Sequence, residues 1–180
     1  MIRLFAALRP PPAMRAALRT PMHGLSGARW QSDEQLHLTL RFIGEVDRHQ
    51  MEDIIAVLGH VRGPCLELGA RGVGAFEHKG RPNSLWAAMT SSPELDRLAK
   101  SVDRALVSVG LPTETRAFRP HITLARLGRI AMPADDWLRA NAGLHVEVAR
   151  FDYLYLYESI LGRDGSTYVV VERYPLGRAA

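Results

Sequence analysis

The pattern His-x-Thr-Leu occurs twice in this chain, as "HLTL" at residues 37–40 and "HITL" at 121–124. Each copy sits in a run that alternates apolar and polar residues, the mark of a strand with one buried face. In the first run Leu36, Leu38, Leu40 and Phe42 share one face, and His37, Thr39 and Arg41 share the other. A matching strand precedes each motif, "LFAAL" at 4–8 and "LWAAM" at 85–89, with a helical segment between strand and motif both times. The offsets, 81 and 84 residues, are those of a duplication with a small insertion. One His-x-Thr strand is compatible with the wet face of any antiparallel sheet. Two in equivalent contexts read as two pseudo-symmetric lobes whose histidine faces oppose each other across a groove, and strands and helices mixed without a strict βαβ rhythm make an α+β fold with largely antiparallel sheets and outer helices the expectation. Residues 1–180 then read as a single domain made of two intertwined lobes.

The remaining segments fill in this plan. "PPPAMRAALRTPMHGL" reads as a helix entered through proline, and "RHQMEDIIAVLGHV" as a helix with Met51, Ile54, Ile55, Leu58 and Val61 on one stripe. "PCLELGARGVGAF" reads as a glycine-bent strand followed by a polar loop, "EHKGRPN". "SSPELDRLAKSVDRALVSVG" has the clearest helical pattern, with a serine cap, a proline start and Leu95, Leu98, Val102, Leu106 and Val109 on one face. "PADDWLRANA" reads as a short helix, and "LHVEVARFDYLYLYESIL" as one long strand or a bent pair. Its partner is "STYVVVERYPL", joined through the turn residues "GRDGS".

Composition narrows the setting. "MIRLFAALRP" does not read as a signal peptide, and no apolar run approaches the ~18–20 residues that cross a bilayer. Cys65 stands alone, so neither a disulfide framework nor a thiolate cluster can form within the chain. A cytoplasmic monomer without membrane attachment is expected. The net charge is +4, and every one of the 23 basic residues except Lys79 and Lys100 is arginine. Arginine suits phosphate oxygens, although a GC-rich genome would give the same bias.

Two imidazoles facing each other across a groove suit phosphoester cleavage. With an ordinary pKa near ~6.5, one histidine can hold a proton while the other accepts one. Each threonine, two residues along on the same face, can donate its hydroxyl to a non-bridging phosphate oxygen. No Asp, Glu or Cys lies within either motif to complete a metal site, so neither metal nor other cofactor is expected.

The two motifs, together with "RLFAAL", "LHLTLRFIGEV", "GVGAF", "FRPHITLARL" and the closing "LYLYES…YVVVERYPL", resemble the 2H phosphoesterase superfamily. Within it they are most similar to the RNA 2′,3′-cyclic phosphodiesterases, also called 2′-5′ RNA ligases, and the similarity runs over nearly the whole chain. The resemblance implies hydrolysis of a terminal 2′,3′-cyclic phosphate to a 2′-phosphate, with a reversible, ATP-independent 2′-5′ joining activity. RNA ends or nucleotides bearing that group are the implied partners. It also implies His37 as proton donor and His121 as proton acceptor, roles that the symmetric motifs alone do not assign.

Around the motifs the two copies differ at the fifth residue after histidine, which is Phe42 in one and Arg126 in the other. The resemblance gives Arg126 a phosphate contact, yet strict alternation places it with Ile122 and Leu124, away from His121. Phe42 is a candidate for stacking on a base, but its parity favours core packing. Arg41 and Arg119 share the histidine faces and are candidate cleft cations. His23, His49, His60, His78 and His145 lack the repeated context and read as surface or loop residues. A phosphodiesterase for a small cyclic nucleotide or ADP-ribose derivative, and a non-catalytic RNA- or nucleotide-binding module, remain open alternatives. For an RNA end, Lys79 and Arg81 of the polar loop are further candidates for upstream phosphates.

Overall fold

A computed structural model describes residues 1–128, 131–162 and 165–177. Its elements run β1 (Ile2–Leu8), α1 (Pro12–Arg19), β2 (Ala28–Trp30), a 3₁₀ turn (Asp33–Gln35), β3 (Leu38–Val46), α2 (Arg48–Leu58), β4 (Leu66–His78), β5 (Arg81–Met89), α3 (Pro93–Val107), β6 (His121–Leu127), α4 (Asp135–Asn141), β7 (His145–Phe151), β8 (Tyr153–Gly162) and β9 (Gly165–Pro175). The strands pair antiparallel in the order β7-β4-β5-β6-β3-β1-β8-β9, with β2 added beside β6. The expected α+β class and two-lobed antiparallel plan are what the structure has.

One lobe is β9-β8-β1-β3 and the other β6-β5-β4-β7; the pair Leu38–Ile122 joins them. The chain starts in the first lobe, builds the second, and returns for β8 and β9. The connecting helices cross over as well: α1 packs against β7 and α3 against β3. Local signals set the helix starts. The Asp47 side chain accepts a hydrogen bond from the Gln50 amide at the start of α2, and Ser92 accepts one from Leu95 ahead of Pro93 at the start of α3. Leu95, Leu98, Val102 and Leu106 of α3 are buried with Ile54 and Leu58 of α2 against Leu4, Leu8, Leu38, Ile122 and Leu154 of the sheet. The sheet's other face is left to the cleft.

Two expectations change, a third is decided between its alternatives, and one strand was not foreseen. The helix expected over residues 10–25 spans Pro12–Arg19, because Pro21 cannot continue it. "EHKGRPN" is not a loop; β4 and β5 close on Lys79 and Gly80, whose φ values of 52° and 73° are those of a tight hairpin turn. The long segment "LHVEVARFDYLYLYESIL" divides at Asp152 into β7 and β8, which belong to different lobes. The three residues of β2 were too short a run to be legible. In the turn "GRDGS", Arg163 and Asp164 lie outside the described residues.

A bulge in each motif strand decides what faces the cleft. On β3 the partners run Ala7–Thr39, Ala6–Arg41 and Phe5–Phe42, so Leu40 is the extra residue. On β6 they run Trp86–Thr123, Leu85–Ala125 and Ser84–Arg126, so Leu124 is the extra residue. One inserted residue reverses the alternation beyond it. Phe42 and Arg126 are thereby brought onto the faces of His37 and His121, and Arg41 is turned off.

Arg41 is therefore not a cleft cation. It is only 9% exposed, with Nε 2.8 Å from Asp103 Oδ1 and a second carboxylate, Glu114, at 3.4 Å. It also donates to the carbonyls of Phe42 and Pro112. Arg41→Met is expected to cost about 2–4 kcal/mol of stability, because it leaves Asp103 partly buried without its partner. Urea unfolding measures this. A variant as stable as the parent but with a raised KM would return Arg41 to the cleft.

Candidate active site

The two histidines are held in the same way. His37 follows the 3₁₀ turn, whose Ser32 and Gln35 side chains cap each other's backbone amides. Its Nδ1 lies 2.7 Å from the Gln35 carbonyl. His121 opens β6, and its Nδ1 lies 2.7 Å from the Arg119 carbonyl. A carbonyl only accepts, so in both rings Nδ1 carries the proton and donates. Nε2 is then the nitrogen free to exchange a proton with a ligand. This matched pair of ring orientations is the structural form of the sequence repeat.

Aromatic rings surround each imidazole. His37 has Phe5 at 4.7 Å, Tyr168 edge-on at 5.0 Å and Tyr157 at 6.3 Å between ring centres. His121 has Phe76 edge-on at 4.8 Å and Trp86 at 6.1 Å. Phe5 and Trp86 occupy matching places in "LFAAL" and "LWAAM", but their registers differ by two residues: Phe5 lies across from Phe42, and Trp86 from Thr123. Because the shift is even, both keep to the cleft face. Where Phe5 stacks on Tyr157, Trp86 lies flat over Gly74, with indole carbons 2.3 Å from where a Cβ would stand. Glycine is needed at 74 to make room for the indole, which is the physical content of that part of the glycine-bent strand.

Burial among these rings pushes the His37 pKa down to about 4, and the nearby charges of Arg126 and His121 push the same way. The Gln35 carbonyl opposes them by stabilising the protonated ring. His121 is lowered too, first by burial and then by Arg126, against the Arg119 carbonyl. Three groups able to carry positive charge thus repel one another across the cleft. An anion placed among them would relieve that repulsion and raise both imidazoles towards their ordinary range.

A cavity of about 400 Å³ opens on the His37 side. His37, Thr39, Phe42 and Arg126 line it, along with Arg3, Phe5, Arg29, Trp30, Gln35 and Tyr168. His121 and Thr123 are not among its lining residues, but His121 is close enough for its charge to depress His37. Thr39 lies across from Ala7 and Thr123 from Trp86, each on its histidine's face. Phe42 is 38% exposed and packs under the Arg3 guanidinium, 5.0 Å from the ring centre. It belongs to the cavity and not to the core that its parity predicted. The Arg119 side chain is exposed and absent from the lining; what that residue supplies is the carbonyl that orients His121.

Sequence reasoning missed Arg3, Arg29, Gln35, Trp30 and Tyr168. Arg3 was within reach, since it alternates with Phe5 and Ala7 along β1. Tyr168 and Arg29 come from β9 and β2, and nothing local announces that those strands border the motif. Gln35 does one further job: its Nε2 donates to the Ser166 carbonyl at 2.6 Å, tying the β8–β9 hairpin to the turn that orients His37.

The chain is similar to known proteins in both sequence and fold. The family model described as LigT like phosphoesterase matches residues 8–86 and 89–168, each stretch holding one motif. An Aeropyrum pernix protein named RNA 2′,3′-cyclic phosphodiesterase is 37% identical over 139 residues, 76% of this chain and 79% of its own. A Thermus thermophilus protein of the same name is 32% identical over 97% of this chain and 90% of its own. Among solved structures, one from Thermus thermophilus superposes with a TM-score of 0.83 at 27% identity, covering 96% of this chain and 97% of that one. Escherichia coli LigT complexed with 3′-AMP gives 0.79 at 25% identity, covering 98% and 99%. With the family model matching both halves of the chain and the similarity running over nearly its full length, this chain belongs to the LigT-like phosphoesterase family.

Proposed function

We propose that the protein is an RNA 2′,3′-cyclic phosphodiesterase that opens a terminal 2′,3′-cyclic phosphate to a 2′-phosphate by general acid–base catalysis. The observation that carries this reading is the matched pair of imidazoles, each with Nδ1–H on the carbonyl two residues upstream and Nε2 left for the reaction. The lone cavity-side position of His37 breaks the symmetry between them. A nucleoside in the cavity presents its 2′,3′ edge to His37, while water approaches the phosphorus from the His121 side.

In that arrangement His121 Nε2 takes a proton from the water as its oxygen bonds to phosphorus. The bond from phosphorus to the 3′ oxygen breaks on the opposite side, and His37 Nε2–H protonates that oxygen. Thr39 and Thr123 donate to the non-bridging oxygens, and Arg126 balances their growing charge. His37 ends neutral and His121 protonated, and exchange with solvent resets them. With a 5′-hydroxyl in place of water, the same step in the same direction joins RNA ends through a 2′-5′ bond and frees the 3′-hydroxyl; its reverse, attack of that 3′-hydroxyl on the phosphorus, cleaves the 2′-5′ bond. Both half-sites come from one chain, so residues 1–180 act as a single domain and a monomer suffices. On this reading the enzyme meets its RNA ends in the cytoplasm.

Incubating the protein with a nucleoside 2′,3′-cyclic phosphate in EDTA tests this, with the products separated by chromatography. The 2′-phosphate is expected. Binding without turnover would make the protein a binding module, loss of turnover in EDTA would require a metal, and a 3′-phosphate would reverse the leaving group.

The pH dependence follows from the lowered imidazoles. The reaction needs one ring protonated and one neutral, and in the free protein both titrate below their ordinary value. The bell of kcat/KM, which reports the free enzyme, is therefore expected to be centred below pH ~6.5. The kcat bell should lie at higher pH, because a bound phosphate raises both rings. A kcat/KM bell centred above pH 7 would contradict the geometry.

A further inference from the structure

Among the described residues three polar or charged side chains are buried: Gln31, Arg41 and Ser84. Arg41 is paired with Asp103, and the Ser84 hydroxyl donates to Asn83 Oδ1 at 3.2 Å. Gln31 is only 8% exposed, yet its carboxamide makes no hydrogen bond with any of the described residues. A buried amide without a partner is costly and calls for a reason. The cavity supplies one, because Gln31 is among its lining residues.

The strands fix where Gln31 stands. Ala28 and Trp30 of β2 pack against the core, the Trp30 ring against Trp137 at 5.8 Å. Alternation turns Gln31 to the opposite face, that of the cleft. β5 runs along one edge of β6, so β2 and β3 share the other: Trp30 is across from Ala125, and Leu38 from Ile122. Gln31 lies in the gap between those two pairs, its backbone amide donating to the Leu124 carbonyl at 2.9 Å. Thr123 immediately precedes Leu124 and Arg126 follows two residues later. Gln31 is therefore level with the stretch of β6 that faces the reacting phosphate, and the next residue opens the turn that orients His37.

We propose that Gln31 is a further substrate-contacting residue, whose carboxamide N–H donates to a non-bridging oxygen of the cyclic phosphate between the two motifs. The phosphate offers only acceptors there, so Nε2 is the atom that turns towards it. A neutral donor suits the place. Arg126 already lowers both imidazoles, and a further cation would deepen that shift, whereas a carboxamide adds a hydrogen bond without adding charge. The amide is also buried before the ligand arrives, so binding has little of its hydration left to remove. The inference rests on the phosphodiesterase reading and adds to its phosphate site a residue outside both motifs.

The test is Gln31→Leu, which keeps most of the volume and removes the hydrogen bond, assayed on adenosine and uridine 2′,3′-cyclic phosphates. With both bases kcat/KM should fall by about ten- to a hundredfold, the scale of a hydrogen bond to a charged group. Gln31→Glu, which sets a carboxylate against the phosphate, should fall further. Urea unfolding separates contact from scaffolding: the free protein leaves this amide unpaired, so Gln31→Leu should unfold at the parental midpoint or above it. A leucine variant that loses stability along with turnover would make Gln31 a structural residue. Loss with one base only would put the carboxamide on the base, and near-parental kcat/KM with both would take it off the substrate. Each of these three results overturns the proposal and leaves the two-histidine chemistry standing. A parent that turns over neither substrate would overturn the phosphodiesterase reading itself.

Discussion

His37→Ala and His121→Ala are each expected to lower turnover of a 2′,3′-cyclic nucleotide by about 10²–10⁴-fold, the contribution typical of one positioned acid or base. Affinity for the 2′-phosphate product should change far less, because Arg126 and the threonine hydroxyls remain. The two losses should not add in the double variant, since a proton relay missing either end has already lost its concerted step. His37→Asn and His121→Asn are useful companions, as the amide can still donate to the upstream carbonyl without exchanging a proton. Near-parental turnover in either alanine variant would sink the two-histidine mechanism.

The next largest effect belongs to the hydroxyls. Thr39→Val and Thr123→Val keep a β-branched side chain on the strand and remove one hydrogen bond to a phosphate oxygen that gains charge in the transition state. Each should cost about ten- to a thousandfold in kcat with a smaller change in KM. Arg126→Ala should also weaken binding of the 2′-phosphate product, because its guanidinium meets the ground state as well as the transition state. Equal product affinity in the parent and the Arg126 variant would remove that residue from the phosphate.

How much of this was legible depends on where the strand stays regular. His37 and Thr39, like His121 and Thr123, lie before the bulge, and the period of two placed them on one face correctly. Phe42, Arg41 and Arg126 lie after it, and for them the same rule gave the wrong face: core for Phe42, cleft for Arg41, and the side away from His121 for Arg126. A bulge is set by pairing with β1 or β5, and nothing within "HLTLRF" or "HITLAR" marks it. The fold class came through because the repeated strand–helix–strand pattern is local. The hairpin at Lys79 and Gly80 did not, because its polar residues look like a loop until the strands on either side are seen to extend into it. The cavity was least legible, since Arg3, Arg29 and Tyr168 come to line it with His37 only after β1, β2 and β9 have been assembled.

The joint between the lobes has a mechanical meaning. Leu38 and Ile122, the pair that links the two halves of the sheet, are each the residue immediately after a histidine. The imidazoles therefore sit beside the backbone pairing that ties the two halves of the sheet together, so the gap between the rings is set by the chain next to them rather than by the outer strands of either lobe.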